Sequence, residues 1–161
     1  MAPSNPLVVL SYVGGPALLT NATALFILST SNRFGRAVDR ARFLADRLSD
    51  QSSPVRAHFR LEMPEVRHRV LLIGRALVSF YLAATSFAIA TLISVVAAIL
   101  TQEHDGAAVP VVVGISFAGG AIGFCAFIAG TAMLALESRT AVRSLSREHA
   151  EAISLAARKD V

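Results

Sequence analysis

Three stretches of this chain carry no charge: Leu7 to Thr30, Ala76 to Leu100 and Ala107 to Leu136, of 24, 25 and 30 residues. About 20 apolar residues in a helix cross a hydrocarbon core of roughly 30 Å. A helix in a soluble core keeps one polar face for water and rarely stays uncharged that long. The pattern therefore predicts an all-α membrane protein with three transmembrane helices, over about residues 7–30, 76–100 and 110–136. The composition agrees: 54% of the residues are hydrophobic and 16% charged, against about 25% charged in soluble domains. The first stretch lacks the basic start of a secretory signal and exceeds its roughly 7–15-residue apolar core, so it is read as a retained helix. The 161 residues suffice for a single membrane domain.

Charge sets the expected orientation. Ten of the 15 basic residues lie between Arg33 and Arg75. The other five are Arg139, Arg143, Arg147, Arg158 and Lys159. The connection Thr101 to Gly106 has none and carries Glu103 and Asp105. Basic residues beside membrane spans stay in the cytoplasm. The N-terminus is expected outside, with the loop of residues 31–75 and the C-terminal helix of residues 137–158 in the cytoplasm. The net charge of +4 is then a topology signal. No basic cluster accompanies a nucleic-acid-binding motif, so no nucleic acid is expected as a partner.

Several local features refine this plan. Gly14, Gly15 and Pro16 interrupt the first span, which a kink accommodates better than a break. Ser31 to Asp50 has helical period, with Phe34, Val38, Ala41, Ala45 and Leu48 on one side and Arg33, Arg36, Arg40 and Arg47 on another. This basic amphipathic helix either lies on the inner membrane surface against anionic lipid headgroups or packs on its neighbours as a cytoplasmic extension. Gln51 to Pro54 form a break, and Pro64 is expected to open the second helix. Beyond the third span, Val142, Leu145, Ala152 and Ile153 give a helical stalk an imperfect apolar stripe.

Candidate functional residues fall into three groups. Ser116, Gly119, Gly123, Ala126 and Gly130 place small side chains on one face of the third span, which suits packing within the chain or against another copy. Thr20, Asn21, Thr23, Thr30 and Ser31 make the first span the most polar; Thr20, Asn21 and Thr23 either make polar contacts between helices or line a pore, with Asn32, Arg33 and Arg36 at its cytoplasmic mouth or interface. Glu137 ends the third uncharged stretch and Arg75 precedes the second at similar depth, so an ion pair between them is expected. His58, His68, His104 and His149 have no metal-ligand spacing. No Ser-His-Asp or Cys-His arrangement or phosphate-binding glycine loop is present, so neither an enzyme nor a cofactor is expected.

Pro16-Ala17-Leu18-Leu19, Ser31-Asn32-Arg33-Phe34 and Glu137, with the basic first loop and three-span plan, resemble a bacterial membrane-protein family, domain of unknown function number 2721. The resemblance covers roughly Val13 to Glu151. It implies residence in the bacterial inner membrane and draws attention to Asn32, Arg33 and Glu137. It supplies no activity. Three helices enclose no conduit alone, so the small-residue face and polar row together predict a homo-oligomeric ion or small-solute channel. The alternative is a non-conducting structural or regulatory membrane subunit that binds lipid or a cytoplasmic partner.

Overall fold

The computed structural model describes the backbone of residues 6–49, 56–103 and 108–159, and the side chains of residues 14–49, 62–97 and 110–142. The described chain forms three helices: α1 (Pro6–Ser49), α2 (Arg56–Glu103) and α3 (Ala108–Lys159). At about 1.5 Å per residue, each exceeds the thickness of a hydrocarbon core. Among the described residues, Glu62–Ala97 and Pro110–Val142 are long and apolar enough to cross a membrane, with mean hydropathy 2.0 and 2.2. Only 6% of the apolar window in α3 is buried inside the protein, unlike the core helix of a soluble domain. The outward faces carry Leu18, Val78, Leu92 and Phe117, the last 81% exposed. Such a dense apolar exterior suits lipid rather than water.

The central helix is α2, which packs against both α1 and α3. Its buried positions include Ile73, Ala76, Phe80, Ala83, Phe87 and Ala90, continuing to Ala97. Spacings of three and four alternate along this row, averaging about 3.5 residues per turn, as in helices that coil around one another. In α1 the same alternation runs through Thr23, Thr30 and Leu44, all fully buried. In α3 it runs through the partly or fully buried Ser116, Gly119, Gly123, Ala126, Gly130, Met133 and Glu137.

Small residues on α3 receive large ones from α2. A Cβ added at Gly123 would stand 2.8 Å from two ring atoms of Phe87, and one added at Gly130 would stand 2.8 Å from the Phe80 ring. Gly119 faces Ala90 with more room, 3.7 Å from its Cβ. Ser116 donates to the Ala90 carbonyl at 3.0 Å and shares a 2.7 Å hydrogen bond with Ser94. Phe26, Phe80 and Phe127 bring all three helices together, with ring centroids 5.1 to 5.6 Å apart. Two of these contacts are edge-on, a geometry worth about 0.5–1.5 kcal/mol beyond burial alone.

α1 runs without a break, as expected, and the boundaries of the other elements differ from those the sequence suggests. Pro16 lies within the continuous α1, so the backbone runs through the Gly14–Pro16 interruption. Pro64 does not open α2; the helix starts at Arg56 and contains it. Pro64 is on the exposed side, while Glu62 meets Arg40 of α1 at 2.6 Å, so a tertiary contact supports the helix upstream of the proline. The segment after the first span is likewise no separate element. It prolongs α1, with Phe34, Val38, Ala41 and Leu48 partly buried, Leu44 fully buried and Ala45 exposed. The Gln51–Pro54 break lies outside the described residues, as do the side chains of Leu7–Val13, Leu145, Ala152 and Ile153. α2 continues to Glu103, into the connection expected at Thr101 to Gly106, and the remainder of that connection is also outside them.

Candidate functional site

Beyond the aromatic cluster the three helices hold charge. Glu137 belongs to the small-residue row of α3, which turns its side chain inward to 5% exposure. An ionised carboxylate that deep needs donors, and α2 supplies them. Arg69 Nε and Nη2 both donate to Glu137 Oε1, at 3.0 and 2.9 Å. Arg33 of α1 brings Nη1 to 3.6 Å from Glu137 Oε2 and donates to Ser138 Oγ at 3.4 Å. One carboxylate on α3 thus ties together arginines from the other two helices.

The expected pair of Arg75 with Glu137 is not formed. Arg75 is exposed, and the partners of Glu137 are Arg69 and Arg33. The reason is rotation about the helix axis. Ile73, Ala76 and Phe80 define the inward face of α2. Continuing their spacing of three and four upstream reaches Arg69, whereas Arg75 points away. That extension is the signal in the sequence that identifies Arg69.

Arg33, Arg36 and Arg40 recur at three and four residues, so α1 presents them along one strip. With Arg69 and Glu137 they line a groove of about 440 Å³, whose wall also includes Val66 and Val142. Arg40 is directed to one edge, where Nε and Nη2 donate to Glu62 Oε1 at 3.1 and 2.6 Å. Arg36 has no ion-pair partner among the described residues. Four guanidinium groups therefore meet two carboxylates here, and the balance favours an anion.

The other sequence candidates are distributed differently. Thr23 is fully buried within the protein and donates to the Leu19 carbonyl at 2.7 Å. Thr20 is half-buried and donates to the Pro16 carbonyl at 2.9 Å. Asn21 is exposed on a different side of α1. The three do not form one polar row, because consecutive helical positions diverge by about 100°. Asn32 is exposed beside Arg33, outside the groove's lining. Gly119, Gly123 and Gly130 face α2, while half-buried Ala126 shares their row. Among the described residues, no cluster of His, Cys, Asp and Glu is placed to hold a metal.

A family model described as protein of unknown function (DUF2721) matches residues 14–147. The chain belongs to this family. The match takes in the whole charged layer and both apolar spans. It makes the chain a helical membrane protein of a bacterial family and extends over nearly the same residues as the resemblance in its motifs. No curated protein and no solved structure matches the DUF2721 chain.

Proposed function

We propose that this DUF2721 protein is a non-conducting structural or regulatory subunit of the bacterial inner membrane, in preference to a homo-oligomeric channel. The observation that carries this reading is the inward direction of the small-residue row. Gly123 and Gly130 accept Phe87 and Phe80 of the same chain, so that face is occupied before a second copy arrives. Burial of Thr23 inside the chain likewise removes a member of the proposed pore lining. Among the described residues, the arginine groove is the surface this reading leaves for a partner.

In this reading α1 is the third crossing, with its N-terminus outside and the groove on the cytoplasmic side. The concentration of arginines in residues 33–75 supports that orientation. Cysteine labelling tests it. In a Cys125→Ser background, Ser4→Cys should react with an impermeant maleimide from outside intact cells, and Ser146→Cys only after lysis. The reverse pattern would overturn the orientation.

Purified protein reconstituted in planar bilayers tests the absence of conduction. We expect no currents above those of empty bilayers across common cations and anions. Reproducible unitary currents, together with a symmetric ring having α1 toward its axis, would restore the channel.

A further inference from the structure

We propose that the groove between α1, α2 and α3 is a binding site for the phosphate of an anionic membrane lipid, with Arg36 and Arg33 as its principal donors. Arg69 is engaged by the buried Glu137 through Nε and Nη2. Arg40 is engaged by Glu62. Arg33 meets α3 through Nη1 alone in the contacts above, and a guanidinium has five N–H donors. Arg36 lines the same cavity without an ion-pair partner among the described residues. Two guanidinium groups one helical turn apart are therefore available to one anion, and the planar fork of arginine matches the geometry of phosphate oxygens. The volume of about 440 Å³ falls within the roughly 300–1,000 Å³ of ligand-sized clefts.

The position of the groove favours a lipid over a soluble phosphate. It opens where the uncharged stretch of α3 ends, since Glu137 is the first charge after Leu136. Leu136 and Val142 flank that point on α3 and are 53% and 64% exposed, and Val142 also lines the groove. A ligand with an anionic head and apolar chains satisfies the arginines and the neighbouring hydrophobic surface together. Glu137 acts here as a positioning residue: it fixes Arg69 and steers Arg33 without touching the ligand. The assignment rests on the three-crossing reading above, which sets the groove at the inner leaflet.

The test uses the full chain in mild detergent, with native mass spectrometry to count retained lipid. Phosphatidylglycerol and zwitterionic phosphatidylcholine are offered separately, and inorganic phosphate is added in a parallel thermal-shift series. Phosphatidylglycerol should be retained in preference to phosphatidylcholine. Arg36→Gln should reduce its retention about tenfold, the loss expected for one charge-assisted contact. Arg75→Gln removes the same charge outside the groove and should leave retention unchanged. Equal retention of both lipids would overturn the proposal, as would equal losses in Arg36→Gln and Arg75→Gln. Thermal protection by inorganic phosphate alone, matching that by phosphatidylglycerol, would overturn the lipid assignment. Because Arg36 is exposed and outside the helix core, its replacement should fold, which the melting temperature checks. Ion currents with intact lipid selectivity would defeat the proposed function alone, whereas lost selectivity in a silent protein would defeat only the groove.

Discussion

The α2–α3 interface and the charged layer beyond it hold the same helices together by different means. In the first, phenylalanines fill glycine notches and two serines bond across the seam. In the second, one buried carboxylate gathers arginines from both neighbouring helices. The difference follows the solvent. In lipid, exposed and buried apolar groups gain almost nothing by exchanging places, so close fit decides the packing. Nearer water, ordinary burial returns as a driving force and charges can be held in fixed pairs without facing hydrocarbon.

The strongest way to break the shape-based region is to fill a notch. Gly130→Leu or Gly123→Leu should destabilise the protein by about 3 kcal/mol, since even the first carbon collides with a ring. Thermal unfolding in detergent reads this directly; wild-type stability in both variants would mean that the glycine contacts do not hold α2 and α3. The charged region should respond less, because its arginines remain 35% and 44% exposed and are screened. Glu137→Gln should cost about 1–2 kcal/mol. A double-mutant cycle sharpens the point. Arg69→Gln with Glu137→Gln should show coupling, while Arg75→Gln with Glu137→Gln should be additive. Coupling in the second cycle instead of the first would place Arg75, not Arg69, beside Glu137.

Two smaller effects mark the limits of each region. Gly120 has open space at its Cβ position, so Gly120→Ala should stabilise by about 0.5–1 kcal/mol where Gly123→Ala destabilises. A loss at both positions would show that the notch argument is not specific. The exposed Arg40–Glu62 pair should contribute about 0.2–1 kcal/mol and fade with added salt. A salt-independent contribution from that pair would show that it lies deeper than its geometry indicates.

Much of the fold was legible in the chain because the bilayer demands length and the absence of charge. Ala76 to Leu100 and Ala107 to Leu136 advertise both, and they overlap the two apolar spans, Glu62–Ala97 and Pro110–Val142, over most of their length. The small-residue face of α3 was visible too, because Ser116, Gly119 and Gly123 stand out against larger neighbours, but whether it met its own chain or another copy was not. The site was only half legible. Glu137 could be singled out by depth, but depth does not report which way a distant side chain points. Arg75 and Arg69 are less than two turns apart on opposite sides of that question, and only the direction of Ile73 and Phe80 answers it. Pro64 misled for a related reason: its local preference for a first turn was overruled by the contact between Arg40 and Glu62.

Phe80 and Phe87 are seven residues apart, and so are Gly123 and Gly130, the notches that receive them. Sliding α3 past α2 by that interval would bring Phe80 to Gly123 and still leave a serviceable fit, so shape alone leaves the register ambiguous. The charges remove the ambiguity. The same slip would carry Glu137 from Arg69 to Glu62, seven residues upstream on α2, and place carboxylate against carboxylate. A slip the other way would leave Glu137 beside the fully buried Ala76 with no cation. The ion pair therefore works as an index mark: it allows one of several near-equivalent alignments of a repeating surface and excludes those next to it.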